Sequence, residues 1–176
     1  MSDQAQRTGD AHSHDDHSHR GDPLGNLPGT PAEERAQAVS LFNHAWTLLD
    51  LPERTTDQDF DLIHCVHASR WHWGRVGGPQ QWAIGEWQCA RAHAVLGHTE
   101  ASLLHAQRCL DLCREHDLHG FVVASAHEAL ARAHLVAGNL AAGQAERDRA
   151  ATLAAALADA EDRAAVEGDL ATLPLP

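Results

Sequence analysis

The sequence predicts an all-α protein built from stacked antiparallel helical hairpins, about seven helices in all, and three observations carry that expectation. Ala90-Arg91-Ala92-His93-Ala94-Val95-Leu96-Gly97 returns 41 positions later as Ala131-Arg132-Ala133-His134-Leu135-Val136-Ala137-Gly138, with six of the eight positions identical. A repeat of that length is the signature of helical hairpins that bury their apolar faces on one another. Alanine and leucine dominate the apolar residues while isoleucine is nearly absent, which favours helices over strands. Breaks at Gly77-Gly78-Pro79, Gly97, Gly120 and Gly138 then divide the chain into helix-length segments.

Residues 1–30 hold glycine, proline, serine, aspartate and histidine with almost no apolar side chains, a composition that predicts disorder. Residues 31–173 form the helical domain. Thr30 is placed to cap a first helix over 32–50, with Pro31 at its start and Glu33 and Glu34 in its first turn. Its apolar face reads Val39, Phe42, Ala45, Trp46 and Leu49. Thr56 or Asp57 caps a second helix that runs to about Arg75. The third, roughly 80–96, carries Trp82, Ile84, Trp87, Ala90 and Val95 toward the core, and Gly97 is placed to end it in a left-handed cap. Thr99 caps the fourth, whose apolar residues are Leu103, Leu104, Leu110 and Leu112. Helices over 121–137 and 140–157 make the next hairpin, and a polar helix over 160–172 closes the stack before Pro174.

Within this frame the third to sixth helices resemble tetratricopeptide repeats over about residues 80–158. Small residues fall where that family brings the two helices of a hairpin together: Ala90, Gly97, Ser102 and Cys109 in one copy, Ala131, Gly138, Gly143 and Ala150 in the other. The period is 41 rather than the ~34 of that family. His93 and His134 stand where its mid-helix aromatic is expected, and no proline closes either repeat. The first hairpin lacks the pattern. His67-Ala68-Ser69-Arg70 and Gly85-Glu86-Trp87-Gln88 also resemble stretches of uncharacterised bacterial repeat proteins, a likeness that implies no activity.

Formal net charge is −12 with neutral histidines, which argues against a nucleic-acid partner. No segment is apolar enough to span a membrane, and the first residues lack the apolar core of a signal peptide. Cys65, Cys89, Cys109 and Cys113 sit inside helical patterns rather than at loop spacings. Together these lead to the expectation of a cytoplasmic protein with reduced thiols.

The resemblance implies a non-catalytic binding module with no cofactor, whose concave face receives a peptide or partner protein. Trp87 and Arg91 on the third helix and Glu128 and Arg132 on the fifth are the groove candidates by register. Two equivalent guanidinium groups suit a carboxylate, although Glu128 and Arg132 could equally pair along their own helix. All five tryptophans lie within 46–87, so an aromatic pocket for a small ligand, with Trp71 in it, is a further expectation.

The second helix supports an alternative, a metal-binding or metal-dependent protein. His64, His67, Trp71 and His72 fall within a band of about 140° at 100° per residue, and Asp61, Cys65 and His72 lie along one edge of it. Imidazole, thiolate and carboxylate at such spacings suit a divalent transition metal (zinc, copper or nickel), with Glu86 as a ligand from a neighbouring helix. His12, His14, Asp15, Asp16, His17 and His19 in the tail would bind such ions loosely. The competing reading makes the same side chains bulky interface residues with one hydrogen bond each. An enzyme with His67 or His72 as general base is a third reading, without a nucleophile or phosphate-loop motif behind it. The ladder His105, Cys109, Cys113, His116 also has ligand-like spacing. Its cysteines become Ala150 and Ala154 one repeat later, so close packing explains it, and the recurrence of His93 as His134 is read the same way.

Overall fold

The computed structural model describes residues 29–174, so the tail reading and its histidines lie outside the described residues. Each helix begins where the sequence supplies a cap or a break. In α1 (Pro31–Leu49) Thr30 accepts from the Glu33 backbone N–H at 3.3 Å while the Glu33 carboxylate accepts from Thr30 at 2.7 Å. This reciprocal pair satisfies donors that a helix start leaves open. Thr55 and Gln58 repeat the device at α2 (Thr56–Val76), one position earlier than expected. Gly78 donates to the Gln81 side chain at the start of α3 (Pro79–Val95). In α4 (Thr99–Glu115) the expected cap, Thr99, is instead the first helical residue, and His98 holds the cap position. Then follow α5 (Phe121–Val136), α6 (Leu140–Ala155) and α7 (Ala160–Ala171), the last capped by Asp159.

The two repeat glycines end α3 and α5 alike. Gly97 and Gly138 have φ of +72° and +77°, a left-handed conformation that costs an L side chain ~1–2 kcal/mol. The turn lets the His98 N–H reach the His93 carbonyl at 2.9 Å and the Asn139 N–H reach that of His134 at 2.8 Å. These are the long bonds of a Schellman cap, which folds the residue after the glycine back over the helix end.

Three hairpins result, α1 with α2, α3 with α4 and α5 with α6. Neighbouring hairpins join through α2 on α3, α4 on α5 and α3 on α5, and α7 packs across α5 and α6. Small residues line the seams: Ala90, Ala106, Cys109, Ala131 and Ala150 are all but fully buried, and the Ser102 hydroxyl donates to the Ala90 carbonyl at 3.0 Å. Val39, Val95 and Leu104, expected to face the core, are 43%, 44% and 67% exposed. Close helix approach selects small side chains, so the buried face of α1 runs through Ala38, Ala45 and Leu48 rather than through its bulkiest residues. No helix among the described residues is long and apolar enough to cross a membrane.

Candidate metal centre

The junction of α2, α3 and α4 is built on a close approach. A Cβ on Gly85 would lie 2.6 Å from Cδ of Arg70, so the stem of Arg70 lies directly across that glycine. Its Nε then donates to Oε1 of Glu86 at 2.8 Å, and Oε2 of Glu86 accepts from Nδ1 of His105 at 2.7 Å. Burial alone would raise the Glu86 carboxyl, but the His105 hydrogen bond and the Arg70 charge outweigh it and hold the group below its usual range. One buried carboxylate thereby links three helices.

Beside it three imidazoles converge. Nε2 of His67 lies 3.0 Å from Nε2 of His93, and the His93 and His105 rings stack with centroids 5.4 Å apart and planes 2° from parallel. The His67 and His105 centroids are 5.1 Å apart. One ligand nitrogen from each of the three lies within 4.8 Å of the others. A tetrahedral ion with ~2.0–2.1 Å bonds spaces its donors about 3.3 Å apart, so small rotations would close the set around an ion.

The other ring nitrogens have partners as well. In the neutral tautomer in which His105 donates Nδ1–H to Glu86, its Nε2 keeps a lone pair. His93 places Nδ1 3.2 Å from Nδ1 of His98, the residue that the Schellman turn folds back. In the tautomer where His93 donates to His98, its Nε2 is also free for a ligand bond. Burial, with the surrounding imidazoles, pushes His93 down to about 4 and lowers His67 too. Both therefore stand neutral near pH 7, the form that binds metals.

Of the residues expected to hold a metal, only His67 belongs to this cluster. Glu86 adjoins it as the partner of His105 rather than as a ligand. His72 turns away to Glu34, with Nδ1 2.6 Å from Oε2, and Arg75 pairs with the other carboxylate oxygen at 3.1 Å. Asp61 and His64 are exposed, and Cys65 is buried in the α1–α2–α3 core, where desolvation raises its thiol. Reading His93 and the His105 ladder as packing residues leaves both out of the expected ligand set.

In the third hairpin His127 and Glu146 occupy the positions of Glu86 and His105, and they bond at 2.6 Å through the same atom types. The ion pair is thus retained with its partners exchanged between helices. Only the second hairpin, α3 with α4, has a further histidine beside the pair, His67 of α2. The signal available was a joint one, a histidine on each of three successive helices, rather than a local motif.

The groove candidates also meet. Trp87 Nε1 donates to Glu128 at 3.0 Å, and Arg132 binds Glu128 through Nε and Nη2 at 2.8 and 2.6 Å. Arg91 lies over Trp46 and pairs with Asp169 of α7 at 2.6 Å, while Arg132 also donates to the Asp169 and Thr172 carbonyls. Trp87, Glu128 and Arg132 are buried, their polar groups bonded internally and to the end of α7. Trp71 lies apart, exposed, with Arg75 over its ring.

The chain matches no family model, no curated protein and no solved structure.

Proposed function

We propose that this helical-repeat protein binds one divalent transition-metal ion, zinc, copper or nickel, through His67, His93 and His105. The observation that carries the reading is the convergence of three imidazole nitrogens within 4.8 Å of one another at a three-helix junction. Two supports accompany it. The Nδ1 atoms of His105 and His93 have oriented partners in Glu86 and His98, the arrangement that fixes ligating histidines. Burial also lowers His67 and His93, so neither has a proton to expel before it coordinates near pH 7. The tetratricopeptide-like stack serves in this reading as a rigid frame for ligands drawn from three helices.

The binding-module reading has less behind it in this conformation. Its groove side chains Trp87, Arg91, Glu128 and Arg132 already have partners within the chain.

Zinc titration by calorimetry tests the proposal on the full chain with His12, His14, His17 and His19 changed to alanine. One ion per chain is expected, and His67→Ala, at an exposed position, should abolish it while the helical circular dichroism persists. Binding that disappears with the tail histidines, or that survives His67→Ala unchanged, would reject the assignment.

A further inference from the structure

We infer that an ion held by His67, His93 and His105 keeps a coordination position open to a small monodentate anion. The inference rests on the proposed metal site and concerns what that site does with its ion. Sites closed for a structural purpose surround zinc with four protein ligands, whereas three protein ligands leave a place for water or an exogenous donor.

Among the described residues no fourth side chain joins the cluster. Glu86 is the nearest carboxylate in the network, but its Oε2 is committed to His105 and its Oε1 to Arg70. His98 engages His93 through Nδ1, on the opposite side of the ring from the Nε2 that faces His67. Cys65 and Cys89 pack into the α1–α2–α3 core and join no ligand group with the three histidines. The His67 side of the cluster is exposed, which gives a small solute its way in.

Charge selects the kind of solute. Imidazoles that coordinate a metal do so as neutral ligands and add no charge, and the Glu86 carboxylate is balanced by Arg70 at 2.8 Å. A divalent ion there retains its double positive charge, so its free position favours an anionic donor over a neutral one. The exchange is a simple substitution in which the anion donates a lone pair to the metal and a bound water leaves.

Cobalt(II) makes the position visible. The full chain carrying alanine at 12, 14, 17 and 19 is loaded with one equivalent of Co²⁺, and its visible absorption is followed while azide is added. The expected result is a saturable, one-to-one shift of the d–d bands with cobalt still bound after desalting. His67→Ala, checked for folding by circular dichroism, should lose the cobalt spectrum and with it the azide response. Bands that ignore azide, or azide that merely strips the ion, would overturn the open position and leave metal binding standing. A folded chain that takes up no cobalt would overturn both.

Discussion

Glu86→Gln tests the centre through a residue that touches no ion. The two Glu86 oxygens accept from two different donors, Nδ1 of His105 at 2.7 Å and Nε of Arg70 at 2.8 Å. Glutamine keeps the shape but has a single acceptor oxygen, so whichever way the amide turns, one donor meets an N–H₂ group. An unsatisfied buried donor costs ~1–3 kcal/mol, and for a domain of this size that lowers the melting temperature by about 3–10 °C. The metal should feel the change separately, because loss of such a supporting partner weakens affinity by ~10–100-fold. Thermal denaturation of the metal-free protein and competition for zinc against a chromophoric chelator measure the two effects. A Glu86→Gln protein that melts normally and binds zinc with unchanged affinity would refute the role assigned to this carboxylate.

Other consequences follow from the same geometry. Gly85→Ala should displace Arg70, whose Cδ would lie 2.6 Å from the new methyl, and cost ~1–3 kcal/mol; an unchanged urea midpoint would contradict the close approach of α2 to α3. Arg132→Ala leaves Glu128, 1% exposed, with Arg91 as its nearest cation at 4.0 Å, and also removes the donors that hold α7. Breaking a buried pair in this way costs ~3–5 kcal/mol, so urea denaturation should show a loss of that size and limited proteolysis should open the 160–172 segment; a loss near zero would count against the network. Acid should weaken the metal-free protein. His93 takes its proton at about 4 when folded against 6.5 for an ordinary histidine, so between those values the unfolded chain binds more protons. Its contribution is complete above pH 6.5 and is lost as the pH falls toward 4, to as much as about 3 kcal/mol. Urea midpoints that stay flat from pH 7.5 to 4.5 would contradict it.

Helix number and order were legible because the signals are local. Thr30 with Glu33, Gly97, Gly138 and the Gly77-Gly78-Pro79 break each act within one turn of chain, and each marks a helix end in the fold. Which side chains face inward was less so at Val39, Val95 and Leu104, because the seams are lined by alanine, serine and cysteine, for which bulk is a poor guide. The candidate centre was legible only in part. His67 could be singled out on the unusual second helix and Glu86 on its neighbour, but His93 and His105 join His67 from α3 and α4, a juxtaposition created by how hairpins stack. The repeat comparison rested on Cys109 and Cys113 becoming Ala150 and Ala154, which speaks of packing and not of the partner His105 finds. The structure has His127–Glu146 and Glu86–His105 as the same pair with its ends exchanged.

X-ray absorption at the zinc edge, on the full chain with alanine at 12, 14, 17 and 19, examines the central claim most directly. Imidazole scattering from three nitrogen donors at ~2.0–2.1 Å, completed by a light exogenous atom, is the predicted coordination. A sulfur shell at ~2.3 Å, or a folded chain that retains no zinc, would contradict the assignment of His67, His93 and His105.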